Sequence, residues 1–170
     1  MIYRFDVLSW WLLFTFLICL IVTIVSWKRR IVKSGFYLAI LAATTGQWAL
    51  AGVFEAAATQ IPLKIFWSQV SYLGIVFTPV AYLLFALSYG DHLRFLNKRT
   101  LISFSILPLF TFVVALTSNY HNWLWLGVTI PEPGNIALYE HGIHFSINIA
   151  YSYLVILNAI IHILSAVRPG

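Results

Sequence analysis

The chain has 170 residues, of which 61% are hydrophobic and 9% charged, against about 45–50% and about 25% in soluble domains. Its 10 Lys and Arg and 5 Asp and Glu cannot cover the surface of a water-soluble globule, so that class is excluded. In so apolar a chain the net charge of +5 belongs to membrane topology and not to nucleic-acid binding.

Five apolar segments are each long enough to cross a bilayer, which takes about 20 residues. They run over 7–27, 35–58, 65–89, 100–118 and 144–167. Period-two alternation is absent, so the expected fold is all-α: a single membrane bundle of five transmembrane helices over 1–170. The first span is longer than a signal-peptide core, and its basic cluster Lys28-Arg29-Arg30 follows it instead of preceding it. It therefore reads as a retained helix. The lone Cys19 lies inside it and has no partner for an intrachain disulfide.

The second span is rich in small residues. Gly35, Ala39, Ala42, Gly46 and Ala49 share one face at three- and four-residue steps, which lets another backbone approach closely. That places the helix centrally, packed within the monomer or against a second copy in a homodimer. The third span contains Gly74 and Pro79, and the fourth contains Pro108. Each proline frees the carbonyl four residues earlier, Ile75 and Phe104 respectively. The resulting kink is either fixed shape or, at Pro79 and Gly74, a hinge. The connection over 119–143 holds Trp123, Trp125, Pro131, Pro133, Tyr139 and Glu140. It either folds back over the mouth of the bundle or lies among lipid headgroups.

Basic residues divide unevenly between the two sides. Lys28, Arg29, Arg30, Lys33, Arg94, Lys98, Arg99 and Arg168 fall on one side, with only Arg4 and Lys64 on the other. Cytoplasmic loops collect Lys and Arg. The expected topology has the N-terminus outside and the C-terminus in the cytoplasm.

Glu55 is the one acid well within a span, and an ionisable group at such depth faces a cavity or a partner. Trp48 lies seven residues earlier, nearly two turns, on the same face. The pair implies a pocket with an aromatic floor and a carboxylate near its mouth; helix-to-helix hydrogen bonding by Glu55 is the alternative. His92 falls in a cytoplasmic connection, and His162 has no second histidine at its depth for a haem. His121, His141 and His144 cluster at the outer side near Glu132 and Glu140. No metal, cofactor or catalytic residue is assigned. The four lysines lie at helix ends or in connections, which excludes a retinal Schiff base within the bundle. Phosphate-loop, dinucleotide-binding and zinc-protease motifs are absent.

The chain resembles the N-terminal seven-helix sensor region of bacterial histidine kinases and diguanylate cyclases, the histidine kinase N-terminal 7TM family. The resemblance is carried by W-A-L-A-G-V-F-E, with Trp48 and Glu55, and by the third span with Trp67, Tyr72, Gly74, Pro79, Phe85 and Tyr89. It continues through Pro108, T-S-N-Y-H-N-W-L-W with Asn119, His121 and Trp123, and the paired Tyr151 and Tyr153. It implies an input module in the bacterial inner membrane that senses a small ligand or an envelope condition. A cytoplasmic kinase or cyclase in the same polypeptide would receive the signal. Combined with the pocket, it adds His121, Trp123 and Tyr72 to Glu55 and Trp48 as candidate ligand-binding residues, between helices two to five. Only five of the family's seven spans are present, so a truncated piece is expected. A small multipass transporter or transporter subunit is the alternative function.

Overall fold

The computed structural model describes residues 2–90, 97–131 and 134–167. His92, Arg94, Glu132, Pro133 and Arg168 lie outside the described residues. Among the described residues five α-helices form: α1 (Val7–Lys28), α2 (Lys33–Ala57), α3 (Ile61–Tyr89), α4 (Lys98–Leu116) and α5 (Ile143–Val167). All five are long and apolar enough to cross a membrane. The all-α bundle expected from hydropathy is the fold, with one addition. Between α4 and α5 lie a 3-10 turn, Ser118–Tyr120, and an antiparallel hairpin of β1 (Trp125–Thr129) and β2 (Leu138–His141).

The helix starts have local causes. Asp6 caps α1, its carboxylate accepting from the Ser9 amide at 3.0 Å and the Ser9 hydroxyl at 2.9 Å. Asn97 caps α4 in the same way, accepting from Thr100. Helix α3 begins at Ile61, with Pro62 in its first turn, where a missing backbone donor costs nothing. Hydropathy placed this start at residue 65; the earlier start brings Lys64 into the helix.

The central helix is α3, not α2. Of its apolar stretch 56% is buried, against 33% for α2 and 6% for α1. Helices α2, α4 and α5 all pack on α3, while α1 packs on the far side of α2. The small residues of α2 explain its place as a middle layer. A side chain at Gly46 would meet Cys19 and Phe16 of α1, so part of the small-residue face is taken within the chain. On the opposite side, Gly74 of α3 fits against Thr44, Gln47 and Trp48 of α2. Helices α4 and α5 touch each other little. They are held through α3, by Leu83, Ala86 and Leu87 against Val155 and Ala159 of α5.

The Pro108 position in α4 is compensated. The Phe104 carbonyl, freed by that proline, accepts a hydrogen bond from the Tyr151 hydroxyl of α5. One of the paired tyrosines thus repairs the ladder of a neighbouring helix.

The hairpin is folded onto one end of the bundle. Leu124 and Trp125 are buried with Tyr72 and Val76 of α3 and Val114 and Ala115 of α4. The residue at 142 must be small, because a Cβ there would strike the Trp123 and Asn122 carbonyls. At this hairpin end the chain start also pairs with the α2–α3 connection. The Arg4 amide donates to Ala57, and the Thr59 amide donates to Ile2.

Candidate functional site

The hairpin end gathers polar groups around the C-terminus of α2. The last carbonyls of a helix lack intrahelical donors and must find others. Here four carbonyls find four different ones. Phe54 accepts from the Ala58 amide at 2.9 Å. Glu55 accepts from Lys64 Nζ at 2.9 Å. Ala56 accepts from Asn135 Nδ2 at 2.9 Å, and Ala57 from the Arg4 amide at 2.7 Å. The donors come from α2's own cap, α3, the hairpin and the chain start. Lys64 is only 1% exposed. Its ammonium sits where the helix carries a partial negative charge, which offsets part of the cost of burying it.

The Glu55 side chain turns toward the same cluster. Its Oε1 accepts from the Tyr139 hydroxyl of β2 at 2.7 Å. Burial, then the adjacent Glu55 carboxylate, push the Tyr139 phenol far above its ordinary range. It remains a donor at any physiological pH. At Asp6, partial burial pulls the carboxyl upward. Hydrogen bonds from Ser9 and the Lys64 charge outweigh it and hold the group below its ordinary value.

Beside this cluster a cavity of about 340 Å³ opens between α1 and α2. Its mouth carries Asp6, Glu55 and Lys64, with Ile136 and Ala137 of the hairpin connection above. Its walls are Leu8, Leu12 and Thr15 of α1 and Thr45, Trp48, Ala49, Gly52 and Ala56 of α2. Glu55 and Trp48 thus border one space, with Trp48 ~10 Å deeper by helical rise. Trp48 is 46% exposed, so it forms a wall and not a buried floor.

The other residues singled out from the sequence lie elsewhere. Tyr72 is buried in the α3–α4–hairpin core, edge-on to Trp125 with ring centroids 5.6 Å apart. His121 Nε2 is 3.0 Å from Thr117 Oγ1, and its ring lies 5.2 Å from that of Trp123, which is exposed. None of the three lines the α1–α2 cavity. That cavity also lies on the α1 side of α2, not between helices two to five. Small residues on α2 leave space there, whereas aromatic and branched side chains fill the interior around α3. Gly74 is buried against α2, where a Cβ would strike Thr44, Gln47 and Trp48, and close packing accounts for a glycine at that position. Pro79 lies inside α3, which continues through it.

His141 stacks on Phe145, while His144 is hydrogen-bonded to Thr111 at 3.0 Å. No group of His, Cys, Asp and Glu among the described residues is arranged to hold a metal. Sequence reasoning missed Tyr139, Asn135 and Asp6 as parts of the cavity region, and left Lys64 outside the third span. Pro62 was the available signal for Lys64, since a proline at a first helical position puts the lysine inside α3. Asn135 and Tyr139 are 79 and 84 residues from their partners on α2, and nothing local marks them.

Five helices long and apolar enough to cross a membrane, found among the described residues, define a multi-pass membrane protein, and its apolar cavity has a charged mouth under the hairpin. The family model for the N-terminal 7TM region of histidine kinase matches residues 11–169, and the chain belongs to that family. That membership makes the chain a membrane sensor module of the histidine-kinase type. Among curated proteins and among solved structures, nothing matches the chain.

Proposed function

We propose that this chain receives a small ligand in the α1–α2 cavity and passes its state to a cytoplasmic kinase or cyclase of the same polypeptide. The carrying observation is the Glu55–Tyr139 hydrogen bond at the cavity mouth. It joins a membrane helix to the hairpin through one of the two carboxylates that a ligand in the cavity would touch. A ligand competing for Glu55 changes how the hairpin holds the end of α2. Helix α3, packed against α2, α4 and α5, carries that change along the bundle. We place the flexible point of α3 at Pro79, where the helix lacks one backbone donor.

We place the hairpin end outside and the opposite end in the cytoplasm of a bacterial inner membrane. Lys28, Arg29, Arg30, Lys33 and Arg99 support this orientation, all lying at the end opposite the hairpin. Arg94 and Arg168, which belong to the same count, lie outside the described residues.

The test is kinase or cyclase output of the full-length protein in membrane vesicles, normalised to folded protein. Glu55→Gln keeps an acceptor for Tyr139 but removes the charge. It should fix the output at one level across conditions that modulate the wild type. Unchanged modulation with Glu55→Gln would remove Glu55 from sensing.

A further inference from the structure

We propose that the α1–α2 cavity binds an amphiphile with an ammonium head and an alkyl tail. The head would sit at Glu55 and Asp6, and the tail along the groove toward Thr15 and Thr45. This rests on the reading of the cavity as the sensing site and names its ligand class.

The charge balance at the mouth sets the head. Two carboxylates, Asp6 and Glu55, and one ammonium, Lys64, border the cavity. The Lys64 ammonium donates to the Glu55 carbonyl at 2.9 Å and the Ala56 carbonyl at 3.4 Å, and the residue is 1% exposed. It is committed to the end of α2 and presents little surface to an anion. Tyr139 occupies Glu55 Oε1. The mouth therefore offers acceptors and net negative charge, which an ammonium matches and a phosphate or carboxylate does not.

The walls set the tail. Below the mouth, the lining runs from Glu55 to Thr45, ten residues or ~15 Å of helix. Leu8, Leu12, Trp48, Ala49 and Gly52 make it apolar. The volume of about 340 Å³ is at the small end of ligand sites and suits one chain. Gly52 leaves the space open, its nearest neighbour on that side being Leu12 at 3.4 Å from a built Cβ. The exposed Trp48 ring places the lower groove at the lipid-facing surface, so the ligand can enter from the membrane. A free long-chain amine and an ethanolamine phospholipid share this chemistry.

The test uses the chain in phosphatidylcholine–phosphatidylglycerol vesicles and a long-chain alkylamine brominated on its chain. Bromine quenches tryptophan on contact, and Trp48 quenching is the difference between wild type and Trp48→Phe. The proposal expects saturable quenching of Trp48 by the amine, and none of that form by the brominated carboxylic acid of equal length. Glu55→Gln should weaken it at least about tenfold, the loss of one charge-assisted contact. Because glutamine still accepts from Tyr139, the variant should unfold at the same midpoint as the wild type. In a second arm, ethanolamine and choline phospholipids carrying the same brominated chains are compared. Saturable quenching by the ethanolamine lipid alone assigns the site to a headgroup; its absence with amine binding retained assigns it to a free amine.

Equal, non-saturating quenching by amine and acid means simple partition into lipid, and overturns the proposal. If that occurs while Glu55→Gln still fixes signalling output, the sensing reading stands without this ligand class. If the amine binds as expected but Glu55→Gln leaves output modulation intact, the site stands and the sensing reading falls.

Discussion

Adding one carbon at Gly74 and at Gly52 should have opposite effects, although both glycines lie in membrane helices. At Gly74 a Cβ would sit 2.5 Å from the Thr44 carbonyl oxygen, 2.6 Å from Gln47 Oε1 and 2.7 Å from Trp48 Cβ. Gly74→Ala must push α2 and α3 apart and should cost about 1–3 kcal/mol. At Gly52 the nearest atom is a Leu12 methyl at 3.4 Å, an ordinary contact. Gly52→Ala should be neutral or stabilise by up to about 1 kcal/mol. Unfolding midpoints in mixed micelles would separate the two. Asp6 supplies a pH-dependent prediction. Its carboxyl titrates below its ordinary value in the folded chain, so it stabilises the fold fully above about pH 4. That contribution is lost as pH falls through the folded-state value. Asp6→Asn, which keeps the cap but cannot titrate, should lose this acid-side dependence, and Asp6→Ala should cost about 1 kcal/mol at neutral pH. At this scale Glu55 and Trp48 stand out in the sequence, a carboxylate and a tryptophan two turns apart in an apolar helix, and both border the cavity. It hid Tyr139 and Asn135, whose roles depend on contacts made across the fold.

The α4–α5 pair is tied by a bond that exists because of a proline. Without the Tyr151 hydroxyl, the Phe104 carbonyl would lose its donor in a low-dielectric surrounding. Tyr151→Phe should therefore cost about 1–3 kcal/mol. In a Pro108→Ala background the backbone supplies the donor, and the same tyrosine change should cost almost nothing. Folding stabilities of the two single variants and the double variant would measure this coupling. Equal costs in both backgrounds would show that Tyr151 acts by packing alone. Helices were the legible elements here, since each carries a predominantly apolar stretch long enough to cross a bilayer. The hairpin was not, because strands of four and five residues joined by a longer connection look like any aromatic connection. Its anchoring by Leu124 and Trp125 depends on α3 and α4, which no local pattern encodes.

Across the whole molecule, orientation is open to direct measurement. In a Cys19→Ser background, Glu140→Cys at the hairpin should react with an impermeant maleimide in intact spheroplasts. Asn97→Cys at the start of α4 should react only after permeabilisation. Reaction of both from the same side would contradict the arrangement. The number of crossings was plain in the hydropathy, but their order of centrality was not. Small residues permit close packing without saying how many neighbours use it, so α2 looked central where α3 is. The four carbonyls that end α2 also bear on how the protein is made. Their donors come from α2's own cap, from the chain start, from α3 and from a hairpin 79 residues downstream of Ala56. At about 5–20 residues per second, a ribosome needs about 4–16 s to reach that asparagine after α2 is complete. Through that interval the Ala56 carbonyl lacks its Asn135 donor, and the joint is completed only when the hairpin arrives. Chains halted before residue 135 should accordingly expose the Ala56–Thr59 connection to proteolysis, making this joint a marker of completed biogenesis.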